Sequence, residues 1–249
     1  MDKFTIKKES VNDICKNMYE AIALSSQFAF NLEQKEMYDE LDILKRQTDC
    51  CFKVLAQTIN IIEMGKYNSA PRCRVFDVNE FVGDIVSACR SRIRKSRIKL
   101  DFEPYIIPLY ISVDPDRFSA CLLNMLVNAL ANVDREEGEV KISAKLISND
   151  VCLTISDNGY GMTVTKATEY MNDDDSFTGF SVLKKFCETF GVSFLFETSE
   201  NGGFSISLKL PMTITTDLNS HQVSLNEGTF SAVNVILSKL DFAEIDALY

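Results

Sequence analysis

The hydrophobic period of this chain changes once, across residues 66–71, and that change divides it into two unlike parts. Before the break, apolar or small residues recur at helical spacing. Val11, Ile14, Cys15, Met18, Ile22, Ser25, Ala29 and Leu32 form one stripe. After polar residues 33–36, a second stripe of Met37, Leu41, Leu44, Thr48, Cys51, Leu55, Thr58 and Ile62 keeps to alternate steps of four and three. That is a heptad seam, and Phe52, Ile59 and Ile61 widen its apolar face. Residues 11–64 therefore read as a helical hairpin with more apolar surface than two helices bury against each other. A second copy completing a four-helix bundle would bury the surplus. Packing of the hairpin on the rest of its own chain would do the same. Homodimerisation through residues 11–64 is the expectation carried forward.

After the break, two-residue alternation and helical spacing succeed one another. Strands are expected over 73–78, 98–102, 109–113, 139–147, 151–156, 192–198 and 204–210, and helices over 79–95, 114–132 and 178–190. Asn79 and Asp114 are the expected caps of the first two helices, with Pro115 in the first turn of the second. Pro104 and Pro108 punctuate one connection, residues 148–150 a hairpin, and residues 201–203 another turn. Residues 163–177 read as irregular and polar. This order implies an α+β chain: the hairpin, then a mixed sheet covered on one face by three helices. The expected domains are 1–68, 72–212 and a tail, 213–249. Within the tail, Val233, Ile236, Leu237 and Leu240 are spaced for an amphipathic helix over 230–240.

Charge and cysteine content exclude several function classes. A net charge of −10 opposes nucleic-acid binding, which needs a basic face. The basic run of Arg92, Arg94, Lys95 and Arg97 is expected to be the cationic end of a helix. There are 8 cysteines and a single histidine, with no CxxC pair, so a cysteine zinc cluster is not expected. No stretch approaches the ~20 uncharged apolar residues of a membrane span, and the lysine-rich start lacks the apolar core of a secretion signal. Reduced core thiols in a cytoplasmic protein follow from these features.

Three segments carry chemistry. In Leu122-Leu123-Asn124-Met125-Leu126-Val127-Asn128-Ala129, Asn124 and Asn128 share a helix face, and Asn132 continues their row. A carboxamide oxygen is a neutral hard ligand suited to magnesium beside phosphates; a solvated polar face would look the same. Ser156-Asp157-Asn158-Gly159-Tyr160-Gly161-Met162 follows a strand. An aspartate there can accept a hydrogen bond from an exocyclic amine, and the glycines allow close backbone approach. A plain loop would also fit. Thr178-Gly179-Phe180-Ser181-Val182-Leu183-Lys184-Lys185 opens a helix, where backbone N–H groups gather anions; a glycine before any ordinary helix fits equally well.

Taken in order, the three resemble the N, G1 and G2 boxes of the GHKL superfamily, and within it the histidine kinases. The likeness covers about residues 75–211 and implies the GHKL, or Bergerat, α/β sandwich with ATP or ADP and Mg2+ as ligands. It implies that Asp157 reads the adenine amine, that Gly159, Gly161 and Met162 belong to the base pocket, and that Gly179 lies near the phosphates. It implies that Asn128 holds magnesium through the nucleotide, with Asn124 and Asn132 on the same face. Family members that hydrolyse ATP carry a glutamate base where this chain has Asn124, and an amide cannot take a proton from water.

Four departures shape the functional expectation. Residues 1–64 contain no histidine to accept phosphate; the loosest counterpart is Tyr19-Glu20, and His221 lies in the tail. Ala131 stands where the family commonly has a lysine, and Phe177 where it commonly has a glycine. Residues 163–177 set Lys166 against Glu169, Asp173, Asp174 and Asp175. A carboxylate ~8 Å from one phosphate charge opposes binding by roughly 1 kcal/mol at an effective dielectric of about 40, against about 8 kcal/mol for a micromolar complex. No catalytic residue is assigned, and autophosphorylation on the hairpin is not expected. The expected function is a degenerate, dimeric kinase-like module (a pseudokinase) of two-component signalling that docks a response regulator or another kinase. The alternative is an active kinase phosphorylating a partner's histidine in trans.

Overall fold

The computed structural model describes residues 64–93, 97–134, 137–172, 179–198 and 203–214. The chain divides into compact units of Met1–Ile59 and Asn60–Tyr249. The expected hairpin as far as residue 63 and the expected tail helix lie outside the described residues, as do Asp173, Asp174, Asp175, Phe177 and His221.

In chain order the elements are β1 (Arg74–Asp77), α1 (Val78–Arg92), β2 (Lys99–Glu103), β3 (Tyr110–Val113), α2 (Pro115–Ala131), β4 (Glu139–Ile147), β5 (Asp150–Asp157), α3 (Val164–Asn172), α4 (Gly179–Phe190), β6 (Ser193–Thr198) and β7 (Phe204–Pro211). The main sheet runs β2-β4-β5-β7-β6, and β1 pairs with β3 separately. β2 lies parallel to β4, and the other neighbours are antiparallel. The expected mixed sheet is therefore present.

Side-chain alternation gives the sheet one apolar face. The register aligns Ile142 with Ile155, Ile155 with Ile206, and Ile206 with Phe196, all buried. The neighbouring row is polar: Thr154 and Ser207 hydrogen-bond through their hydroxyls at 2.8 Å. Helix α1 supplies Val78, Phe81, Val82, Ile85, Val86 and Cys89 at helical spacing, all buried. In α2 only Asp116, Asn128 and Ala131 escape burial. Phe118 is the hub of its packing. Its ring centre lies 5.9 Å from Phe76, 5.4 Å from Phe81 and 5.7 Å from Phe186. Beyond β7, Met212 bridges Ile111 and the Thr213 N–H donates to Tyr110 at 2.7 Å, joining the two sheets.

Two local expectations are corrected. Asp77, not Asn79, caps α1, its carboxylate accepting the Asn79 N–H at 3.0 Å. Asn79 instead holds the connection between β2 and β3, donating to the Tyr105 and Ile107 carbonyls at 3.2 and 3.0 Å and accepting from the Tyr105 N–H at 3.0 Å. The stretch 163–177, expected to be irregular, contains helix α3. Thr163 accepts the Lys166 N–H at 3.2 Å at its start, and Ala167 and Met171, four apart, are its buried residues.

Among the described residues no helix is long and apolar enough to cross a membrane. They contain buried free thiols at Cys89, Cys121, Cys152 and Cys187, and an exposed one at Cys73. Burial pushes the Cys89 and Cys187 thiols up to about 12, with Glu188 adding to the effect at Cys187. Since Phe118 is fully buried among three other rings, Phe118→Ala is expected to destabilise the protein by about 3–5 kcal/mol in urea unfolding.

Candidate functional site

Asp157 closes β5, and the chain turns sharply after it. Its Oδ1 accepts the Gly159 N–H at 3.0 Å, and the Phe204 N–H also bonds its carboxylate. Burial nevertheless raises its pKa above the ordinary 3.8, while those two bonds pull the other way. Asn158 faces away. Its amide accepts the Glu139 N–H at 2.7 Å and donates to the Glu137 carbonyl at 3.0 Å, tying the turn to the start of β4.

Gly159 must lack a side chain for a steric reason: a Cβ there would overlap the Asn132 carbonyl oxygen. That carbonyl also accepts the Tyr160 N–H at 3.1 Å. The turn after β5 is thereby pressed against the C-terminal end of α2.

The asparagine row of α2 comes next. Asn132 is the C-cap, and its side chain donates to the Asn128 carbonyl at 2.6 Å. Asn128 is half-buried. Asn124 is 2% exposed and donates to the Ala120 carbonyl at 2.9 Å. The start of α4 rests on this row. A Cβ at Gly179 would lie 3.2 Å from the Asn124 Cβ and Oδ1 and 3.3 Å from the Asn128 Nδ2, tighter than most side-chain contacts.

These elements enclose a cavity of ≈ 290 Å³. Of the residues singled out by sequence, Asn128, Asn132, Asp157, Gly161, Met162 and Gly179 line it. Asn124 and Gly159 do not; they set the positions of Gly179 and Asn132. The sequence reading missed the hydrophobic lining. Met125 and Ala129 come from α2, Ile155 and Ile206 from the sheet. Tyr170, Phe180 and Phe204 add an aromatic side. The Tyr170 and Phe180 rings stack at 5.9 Å and 13°, and the Lys166 ammonium lies 6.0 Å from the Tyr170 ring centre. Met125 and Ala129 could have been found by following the asparagine row around its helix face. Tyr170 carried no signal once its segment was read as irregular.

The result is a cavity with a largely apolar lining and a carboxylate and two carboxamides on its border. Among the described residues there is no cluster of His, Cys, Asp or Glu able to hold a metal by itself. A single amide such as Asn128 suits a magnesium ion whose other ligands are phosphate oxygens and water.

Residues 113–214 match the family described as Histidine kinase-, DNA gyrase B-, and HSP90-like ATPase. The chain is 21% identical over 184 residues to sensor histidine kinase ZraS of Salmonella typhimurium, covering 71% of this chain and 38% of that protein. It is 22% identical over 224 residues to sporulation kinase B of Bacillus subtilis, covering 84% of this chain and 51% of that one. The chain thus spans about half, or less, of the length of these relatives. Among solved structures, the catalytic domain of histidine kinase ThkA has a TM-score of 0.52 at 21% identity, covering 56% of this chain and 96% of its own. Acinetobacter baumannii histidine kinase AdeS has a TM-score of 0.54 at 15% identity, covering 78% and 97%. At such identities the structures speak for the fold. Residues 113–214 thus match the histidine kinase-, DNA gyrase B- and HSP90-like ATPase family, and the chain is homologous to sensor histidine kinases.

Proposed function

We propose that the cavity binds ATP or ADP with Mg2+, in a chain that is a degenerate, histidine-kinase-like module of two-component signalling. The nucleotide reading rests on one observation: Asp157, Asn128 and Asn132 border a single cavity whose remaining walls are largely apolar. An ionised carboxylate accepts a hydrogen bond from the exocyclic amine of adenine. Ile155, Phe180 and Phe204 keep water from the faces of a flat ring. Asn128 would add one amide oxygen to a magnesium shell, and the ion, when bound, supplies the charge that neutralises and orients the phosphates.

The loss of kinase activity is supported by departures of the sequence from the histidine-kinase pattern. Residues 1–64 have no histidine. Ala131, exposed at the end of α2, offers no cation where relatives of this type commonly have lysine. Asn124 is engaged with the Ala120 carbonyl and has no basic group for hydrolysis, which sets the chain apart from the ATP-hydrolysing members of the family without bearing on transfer to a histidine. The acidic run at Asp173, Asp174 and Asp175 opposes a polyanion. A homodimer through residues 11–64, docking a response regulator or another kinase, is the role that follows. A cytoplasmic setting agrees with the free buried thiols.

Thermal shift with ADP or ATP, with and without magnesium, tests the pocket. Nucleotide at a hundredfold its Kd should add about 2.7 kcal/mol of stability, and Asp157→Ala should abolish the gain. A folded sample that shows no shift with millimolar nucleotide would remove the nucleotide reading. Radiolabelled ATP tests the loss of transfer: label arriving on a partner's histidine would replace the degenerate module by a trans kinase. Sedimentation of the full chain should give a dimer; a stable monomer at micromolar concentration would rule out the bundle.

The Asp157 shift sets a pH dependence. Because the folded-state value is raised, its contribution to stability is present below the ordinary value and is lost as pH rises through the raised one. Above that point the ionised carboxylate works against the free domain. Asp157→Asn is therefore expected to leave the melting temperature of the ligand-free protein at pH 7 unchanged or higher, while losing the nucleotide-induced shift. In the parent protein, affinity should begin to fall on acidification at a higher pH than an ordinary aspartate would give, as isothermal titration across the acid range would show.

A further inference from the structure

A second polar cluster lies towards the N-terminal end of α2, away from the asparagine row. Arg117 is 3% exposed, a long cation withdrawn from water. Its Nη2 donates to the Lys66 and Ser69 carbonyls, both at 2.8 Å, and its guanidinium carbon lies 4.7 Å from the centre of the Tyr67 ring. Its Nε is 3.5 Å from the Asp114 carboxylate. Asp114, itself 7% exposed, accepts the Arg72 N–H at 2.9 Å and caps α2 through the Asp116 and Arg117 N–H groups at 3.1 and 3.4 Å. The gripped segment is already turned back on itself, since the Ser69 hydroxyl and N–H both donate to the Lys66 carbonyl, at 2.8 and 3.2 Å.

The chemistry of these contacts is selective. A buried charge is tolerated only when paired and hydrogen-bonded. Here one guanidinium meets a carboxylate, two backbone carbonyls and an aromatic face together, which a planar fork can do and an ammonium cannot. None of these partners lines the nucleotide cavity. All of them hold residues 66–72, the stretch of chain that joins the preceding residues to β1. From Arg117 the helix runs unbroken to Asn128, about 16 Å away.

We propose that the Arg117–Asp114 pair is a latch fastening residues 66–72 to the first turn of α2. Closed, it makes the linker part of the nucleotide domain, so that displacement of the preceding chain is delivered to the helix carrying Asn128. Open, it leaves a free tether. The inference rests on these contacts alone and does not require the cavity to bind nucleotide.

Limited trypsin digestion of the full chain tests it, because Lys66 and Arg72 flank the gripped turn. Removing Arg117 alone would strand a buried carboxylate, so the decisive variant is Arg117→Met with Asp114→Asn, which deletes both charges and keeps a residue suited to capping α2. Arg117→Lys, which keeps the charge without the fork, is the companion should the double variant not fold. Cleavage after Lys66 and Arg72 is expected to accelerate about tenfold or more, the factor for losing one charge-assisted hydrogen bond. Cleavage at Lys141 in β4 and Lys185 in α4, and the circular dichroism, should stay unchanged. Linker cleavage that does not accelerate, or that rises only in step with Lys141 and Lys185, would overturn the latch. Nucleotide thermal shift on the same samples separates the two ideas, since either result can fail without the other.

Discussion

One backbone contact sets the geometry on which the cavity depends: the end of α2 pressed against the turn after β5. The Asn132 carbonyl accepts the Tyr160 N–H and occupies the space a Cβ on Gly159 would need. On the other side of the turn, the Gly203 N–H donates to the Gly159 carbonyl at 2.8 Å. The turn is thus held between a helix end and the start of β7, with the Gly159 and Tyr160 N–H groups and the Gly159 carbonyl all paired. Asp157, anchored to Gly159 and Phe204, inherits its position from that contact. A second contact of the same kind, Gly179 on the Asn124–Asn128 face, fixes the far border.

Such close approaches require a rigid helix beneath them, and burial provides it. α2 is covered along almost its whole length, with Phe118 locked among Phe76, Phe81 and Phe186. Its polar residues are accommodated individually. Asn124 turns its amide onto its own helix, and Arg117 and Asp114 neutralise each other while holding residues 66–72. The helix thereby serves the core, the linker and the cavity with different faces and ends of a single element.

Much of this was legible in the residues because it is local. Asp114-Pro115 announces a helix start in any context, and β4 and β5 alternate cleanly on either side of Ser148-Asn149, where Ser148 takes a φ of 58°. The row of Asn124, Asn128 and Asn132 follows from helical spacing. Its division does not: Asn124 lies outside the cavity lining because α4 approaches at Gly179, a tertiary event. The α1 cap was misread because Asp77 and Asn79 are equally good capping residues and the choice was settled by the β2–β3 connection, which takes the Asn79 side chain. Helix α3 escaped notice because only two of its residues are buried, too few to register as a period. With it went Tyr170, whose place beside Phe180 depends on ring contacts between elements far apart in sequence. Arg117 carried no signal in the sequence, because no local pattern announces that a distant linker will cover it.

The cavity touches two helices at opposite kinds of ends. Asn132 is the terminal cap of α2, where peptide dipoles sum to a partial negative charge, and Gly179 is the first residue of α4, where they sum to a partial positive one. The enclosed space is therefore electrically polarised before any side chain is counted. An elongated guest carrying amine hydrogens at one extremity and anionic oxygens at the other has one favourable orientation and one unfavourable one. Even where individual phosphate contacts are poor, that built-in direction sorts the two insertions, and reversing it would require rebuilding the backbone rather than exchanging a residue.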